Sequence, residues 1–309
     1  MSDTGPVWVL TGPTASGKSA LAVALAERLG AAVLSMDSMA VYRRMDIGTA
    51  KPDAAHRARV PHHLIDLVEP WESFDVSRWC ALAEAAIAAE RAAGRQPFFV
   101  GGTPLYLMAL GKGLSARAPA DPALRSELRA REAAAPGTLH AELLTRDPVA
   151  AARIHPRDTR RLIRALEVQA ITGAPISAQQ DSFDAPGWRI PLRVVALSVP
   201  REVLHERVRQ RTRAMLAAGL VAETEAILAA GGFSREAGAA IGYAEARAWL
   251  RGAVRDEEEL RNLIRRATHR LIRRQTTWLR RIPGVRWIAP EAGVDGILAA
   301  FAAAVPHAS

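Results

Sequence analysis

The sequence predicts an α/β fold: a parallel sheet flanked by helices, interrupted by an all-helical insertion. Three observations predict it. A short apolar run, Val7–Leu10, feeds directly into the glycine-rich stretch GPTASGKS (12–19), which opens a helical pattern. Apolar strand-like runs then alternate with helical stretches, the signature of parallel strands joined by helices. Between residues 118 and 188 that alternation stops and helical patterns prevail, until the apolar run LRVVALSV (192–199).

Taken in order, Ser19–Leu29 has helical character and Gly30 stops it. AAVLSM (31–36) reads as a second strand ending on Asp37–Ser38, and HHLIDL (62–67) as a third. Asp75–Ala93 is an alanine-rich helix closed by Gly94. QPFFVGGT (96–103) is a buried strand running into a Gly-Gly turn. Helices are predicted over 121–134, 138–145, 148–153 and 158–172, then a polar stretch, ISAQQDSFDAPGW (176–188). Beyond residue 200 the chain is helical up to VRWIA (285–289), a last strand. In helix 256–282, Leu260, Leu263, Ile264, Ala267, Leu271, Trp278 and Ile282 form one apolar stripe, with six arginines mostly off it. The expected domains are a core of 1–117 with 189–309 and an insertion of 118–188.

With 309 residues the chain is ample for a full hydrophobic core. No unbroken apolar run reaches the roughly 18–20 residues of a membrane span. The N-terminus has no basic stretch followed by an apolar segment, so no signal peptide is expected. One cysteine, Cys80, forms no internal disulfide and excludes CxxC-type zinc sites, and a reducing cytoplasm is the expected location. The net charge is +9, carried by arginine, with lysine only at 18, 51 and 112. Such a balance reflects either a compositional bias or a polyanionic partner.

GPTASGKS matches G-x-x-x-x-G-K-[ST], a P-loop, and sits where one must, after a strand and before a helix. Gly12 and Gly17 let the backbone bend around an anion, Lys18 supplies a charge to phosphate, and the Ser19 hydroxyl can reach Mg²⁺. The fold expected is therefore P-loop NTPase-like. ATPases and GTPases pair this loop with an apolar strand ending in Asp, whereas the later strands here end in FFVGGT and ALSVP. The strand-end acid is Asp37, which faces the loop across the crevice at the strands' carboxyl ends. It reads as a proton acceptor or water-mediated Mg²⁺ ligand, or as a turn-capping Asp. Thr103, after Gly101–Gly102, reads as a donor to a leaving-group oxygen or as a turn residue before Pro104. Arg211 and Arg213 read as charge neutralisers over a diphosphate or as surface arginines.

Together with GPTASGKS, the stretches LSMDSMAVYRRMDIGTAKP (34–52), PHHLIDL (61–67), FFVGGTPLYLMAL (98–110), RIHPRDTRRLIRALEV (153–168) and RRQTTWLRR (273–281) resemble the bacterial tRNA dimethylallyltransferases, the IPP transferase family. The resemblance runs in order from about residue 6 to about 290. It implies transfer of a dimethylallyl group from dimethylallyl diphosphate to N6 of the adenosine 3′ to the anticodon, with release of diphosphate. Gly12, Pro13, Thr14, Ala15, Ser16, Gly17, Lys18 and Ser19, with Arg211, would then cradle the donor's diphosphate, with Mg²⁺ on Ser19. Asp37 would be the general base and Thr103 would lie by the scissile C–O bond.

The resemblance assigns tRNA contacts to Asp37, Ser38, Met39 and Ala40, to Thr103 and Arg125, to Arg160, Arg161 and Arg164 in the insertion, and to Gly242 and Tyr243. The insertion then reads as a clamp on the anticodon stem-loop, and the target base must be flipped out of its stack. Family members often carry Arg and Cys before V-G-Y and Arg after it; this chain reads AAIGYAEA, and His269 stands where arginine is common. A monomer is expected, without membrane association. A P-loop kinase of a small metabolite, consuming ATP, and an RNA-binding protein without chemistry are the alternative readings.

Overall fold

The computed structural model describes residues 5–113, 120–179 and 188–304. The chain divides into two compact units, Met1–Gly111 with Trp188–Ser309, and the contiguous Lys112–Gly187. The predicted junction at 117/118 lies outside the described residues. The return junction falls one residue earlier than predicted, because Trp188 is buried in the first unit, packed against Gly111.

Among the described residues the first unit holds six strands: β1 (Val7–Thr11), β2 (Val33–Ser35), β3 (His62–His63), β4 (Phe98–Val100), β5 (Leu192–Leu197) and β6 (Arg286–Ile288). All pairings are parallel, in the order β3-β2-β4-β1-β5-β6. The helices are α1 (Lys18–Leu29), α2 (Ala54–Arg59), α3 (Val76–Ala92) and α4 (Pro104–Lys112). The second unit follows, with α5 (Pro122–Ala134), α6 (Thr138–Arg146), α7 (Pro148–Arg153), α8 (Thr159–Thr172) and α9 (Ile176–Gln179). Back in the first unit come α10 (Arg201–Ala217), α11 (Leu220–Ala230), α12 (Tyr243–Leu250), α13 (Glu257–Arg281) and α14 (Gly293–Ala303).

Alternating side chains cover both sheet faces, as the two-residue strand period requires. Trp8 stacks on Phe301 of α14 at 4.7 Å, and Phe98 meets the same ring edge-on. Leu10, Phe98, Val195 and Leu197 form one core with Val23, Leu25 and Ala26 of α1. On the other face Phe99 meets Trp79 of α3, which stacks on Tyr106 of α4 at 4.3 Å. The fully buried Trp79 also donates its indole N–H to the Ser35 carbonyl at 3.3 Å, so its polar atom is satisfied. Each such aromatic stabilises the unit by about 2–3 kcal/mol through the apolar surface it removes from water.

Two sequence expectations change. HHLIDL pairs as a strand only at His62–His63. Leu64 and Asp66 then take positive φ of 64° and 53°, and Lys51 and Arg57 capture the Asp66 carboxylate at 2.6 and 2.8 Å. In α13 the buried face runs through Leu260, Ile264, Thr268, Ile272, Gln275 and Leu279, while Trp278 is 40% exposed. Two polar residues thus occupy the stripe that apolar spacing assigned to Leu271 and Trp278.

In the second unit the helix starts are local. Asp121 and Asp147 each precede a proline and accept hydrogen bonds from first-turn amides, and Asp158 does so at the start of α8. Leu128, Leu139, Leu143, Leu162 and Leu166 form its core.

Candidate active site

The strand order places β4 between β1 and β2, which succeed each other in sequence. Register sets Val100 beside both Leu10 and Ser35, so the three carboxyl ends are level. Ligands of open parallel sheets bind where strand order reverses in this way. The segments leaving these three ends are the glycine loop, Asp37–Ser38 and Gly101–Thr103.

The loop closes at Gly17, whose φ of 93° begins α1 without any side-chain cap. α3, α5, α7, α8 and α13 are instead capped by aspartate. The first-turn amides of α1 are thus left for an anion, and the helix dipole favours one. Ala15 sits at φ 68°, a strained conformation for a residue with a Cβ and one that functional turns retain. Lys18 Nζ donates to the carbonyls of Gly12 and Pro13 at 2.9 and 2.8 Å and approaches Ser16 Oγ at 3.4 Å. Burial lowers its pKa to about 8; Asp37 opposes that shift and Arg211 adds to it, so all three charges share one field. Ser19 is exposed at the head of α1.

Gly101 lets the other two turns meet. A Cβ there would stand 2.1 Å from the Met36 carbonyl oxygen, so only glycine permits this approach. The Thr103 amide then donates to the Met36 carbonyl at 3.3 Å, and Thr103 Oγ1 accepts from the Ser38 amide at 3.1 Å. Asp37 Oδ1 accepts from the Met39 amide at 2.8 Å. The turn-forming reading of both residues holds, and it leaves room for the chemical one. One carboxylate oxygen holds the turn and the other can take a proton. One of the two threonine lone pairs is occupied, and the hydroxyl proton is available to a ligand oxygen.

Three residues that sequence reasoning left unassigned complete the crevice. Gln275 of α13 accepts from the Thr14 amide at 2.9 Å and donates to the Gly102 carbonyl at 2.7 Å. One buried side chain thereby ties the glycine loop to the Gly-Gly-Thr turn. Arg207 Nη1 donates to the Ala15 carbonyl at 3.2 Å. One helical turn on, Arg211 Nη2 donates to the Thr49 carbonyl at 3.4 Å. Burial depresses the Arg211 pKa against the opposing pull of Asp37. Glu223 of α11 accepts from the Asp46 and Ile47 amides, and so holds the loop that carries Thr49. The available signals were a glutamine inside a buried helical stripe and an arginine four residues before Arg211.

The residues assigned to RNA contact fall into two groups. Ser38 and Met39 are half-buried beside Asp37, and Arg160 and Arg161 are exposed on the first turn of α8, Arg161 with an ion pair to Asp158 at 3.4 Å. Ala40, Gly242 and Tyr243 are buried. Tyr243 is 0% exposed, accepts from the Gly48 amide at 3.1 Å and donates to Glu223. Its side chain clamps the loop from within, its hydroxyl engaged on both sides. Arg125 and Arg164 close on the buried carboxylate of Glu167, with contacts of 2.7–2.8 Å. Burial pushes the Glu167 pKa up, but the hydrogen bonds from Arg125, Arg164 and the Asp121 amide outweigh it and hold the carboxyl below its usual range. No helix among the described residues is long and apolar enough to cross a membrane.

Among the described residues no cluster of three or more His, Cys, Asp or Glu side chains is arranged to hold a metal ion. A divalent ion here would depend on ligand phosphate oxygens joined by single protein oxygens, and Ser19, exposed at the head of α1, is placed to offer one. That all-oxygen donor set suits a hard cation.

Comparison with known proteins accounts for this arrangement. The family model described as IPP transferase matches residues 40–282, and one described as isopentenyl transferase matches residues 5–60. The chain belongs to the IPP transferase family. It is 47% identical to the tRNA dimethylallyltransferase of Halorhodospira halophila, over 93% of this chain and 94% of that one. It is 49% identical to the corresponding protein of Anaeromyxobacter dehalogenans, over 91% and 94%. The solved tRNA isopentenylpyrophosphate transferase of Bacillus halodurans superposes with a TM-score of 0.69 at 36% identity, covering 96% of this chain and 97% of that one. A eukaryotic dimethylallyltransferase caught acting on tRNA superposes with a TM-score of 0.70 at 28% identity, covering 89% and 69%. In this IPP transferase the P-loop, Asp37 and Thr103 leave adjacent strand ends, and Gln275 and Arg207 brace the loop.

Proposed function

We propose that the chain transfers the dimethylallyl group from dimethylallyl diphosphate to N6 of the adenosine 3′ to the anticodon in tRNA, releasing diphosphate. Beyond family membership, one observation carries the reading. The glycine loop, Asp37 and Thr103 leave three neighbouring strand ends at the point where strand order reverses.

The amides of residues 17–19 at the head of α1, with Lys18 and Arg211, hold the diphosphate. The N6 lone pair attacks the first prenyl carbon, the C–O bond to diphosphate breaks, and the N6 proton passes to the free oxygen of Asp37. Thr103 Oγ donates its proton to the oxygen that departs, a contact that strengthens as charge develops there. Ser19, together with the phosphates, would hold a magnesium ion, which would supply positive charge against the leaving group. No phosphoryl group moves, which fits the lack of an acidic residue at the ends of FFVGGT and ALSVP.

The adenine reaches the crevice flipped from its stack. Segment 37–40 lies beside it, and the helical unit engages the anticodon stem-loop through Arg160 and Arg161. Arg125 and Arg164 set that helix face from beneath, through Glu167. The protein works as a cytoplasmic monomer, and its charge of +9 suits a polyanionic substrate.

The test is transfer of label from dimethylallyl diphosphate to an anticodon stem-loop. Label appears in the loop carrying the target adenosine and not in one with another base at that position. Absence of label from both would remove the proposal.

A further inference from the structure

The D-I-G-T-A-K-P stretch (46–52) has no place in the chemistry above, yet the structure invests heavily in holding it. The Glu223 carboxylate accepts from the amides of Asp46 at 3.2 Å and Ile47 at 3.1–3.2 Å. Tyr243 accepts from the Gly48 amide and donates to Glu223. A Cβ on Gly48 would lie 2.3 Å from the Tyr243 ring, so loop and ring fit only with glycine there. On the loop's far side Lys51, whose side chain is 1% exposed, is pinned by Asp46 at 2.8 Å and Asp66 at 2.6 Å. Thr49 Oγ1 donates to the Met45 carbonyl at 2.6 Å. What this rigid loop presents is the Thr49 carbonyl, and Arg211 donates to it.

A carbonyl orients a guanidinium without cancelling its charge, whereas a carboxylate would do both. Arginine is long and rotamer-rich, so an anchor that holds it in place reduces the entropy lost when an anion binds. We infer that Tyr243, together with Glu223, is a positioning residue for Arg211, acting through the 46–51 loop to aim that guanidinium at the diphosphate. The inference rests on the reading of the crevice as a diphosphate site. It assigns the buried tyrosine of the I-G-Y segment to the donor side of the reaction.

The experiment is calorimetric titration of the full chain with inorganic pyrophosphate and magnesium, with thermal melting in parallel. Tyr243→Phe removes one oxygen and leaves the ring. It is expected to weaken pyrophosphate binding about tenfold, the order expected when a buried partner is left unpaired. In an Arg211→Lys background the same change is expected to cost less than twofold. Phe301→Leu, in the core beside Trp8, lowers the melting temperature and leaves pyrophosphate affinity intact, which separates positioning from general destabilisation. Affinity unchanged by Tyr243→Phe, or an equal loss in both backgrounds, overturns the inference. Should Tyr243→Phe not fold, Glu223→Gln measured in the same two backgrounds decides by the same criteria. Prenyl transfer is scored separately. A wild type that couples Tyr243 to pyrophosphate but transfers no prenyl group loses the proposed reaction and keeps this role for Tyr243.

Discussion

In the helical unit, Arg125 and Arg164 close on the carboxylate of Glu167; in the sheet unit, Arg207 and Arg211 reach the backbone carbonyls of Ala15 and Thr49. Lys18 follows the second pattern, held by the carbonyls of Gly12 and Pro13. A carboxylate neutralises its partner and makes it structural. A carbonyl fixes direction and leaves the positive charge for a ligand. The same residue type thus takes either role, and the partner decides which; away from the crevice the sheet unit pairs its arginines with carboxylates too, as Arg57 with Asp66.

Several measurements break or sharpen this contrast. The largest expected effect is at the crevice: Asp37→Ala lowers the transfer rate by about 10²–10⁴ while RNA affinity holds. An equal loss of RNA affinity would make Asp37 a positioning group instead. Glu167→Ala, which removes the neutraliser, should destabilise the helical unit by about 3 kcal/mol, read as a lower melting transition. The sign of its pH dependence is fixed by its lowered pKa. The stabilisation is present above the ordinary glutamate range and lost as pH falls through the folded value, so Glu167→Gln should flatten the acid limb of the stability curve.

Gln275→Leu leaves the Thr14 amide and the Gly102 carbonyl without their partner, which costs about 1–3 kcal/mol in stability and slows transfer. Unfolding that needs no less denaturant than the wild type would show that neither group depends on Gln275. The smallest effect is a titration. Lys18 loses its proton near pH 8 in the free protein, and a bound anion raises that pKa. Pyrophosphate affinity should therefore fall about tenfold per pH unit just above 8. The fall should persist in Arg211→Lys, since Lys18 still titrates there; a flat profile would remove Lys18 from the anion site.

The helix bounds from α5 to α8 were legible to within a residue, while α9 falls in the stretch read as polar. Asp121–Pro122 and Asp147–Pro148 state a helix start within two positions, and a contiguous segment needs no distant partner to fold. The third strand was legible in its place but not its extent, because Lys51 and Arg57 draw Asp66 out of the extended path, and no local pattern announces an ion pair 15 residues apart. The α13 stripe was misread for a similar reason. Gln275 looks like a surface residue until its partners, 261 and 173 residues away, are known. At the crevice, the loop, Asp37 and Thr103 could be found because each lies at a strand end. Glu223 could not, since it acts on backbone amides that carry no sequence signal, and Gln275 and Arg207 left only their places in a helical stripe and one turn before Arg211.

The sequence by itself determined the parallel α/β class, the helical insertion, the phosphate loop and the family. These follow from periodicity, capping residues and glycines, all local properties of the chain. Tertiary structure alone decided that Tyr243 faces inward, that Arg125 and Arg164 are engaged by Glu167, and that Lys18, Arg207 and Arg211 reach backbone carbonyls. The physical reason is that a charged or polar side chain takes its role from its partner. That partner is chosen by long-range packing, which no window of sequence contains.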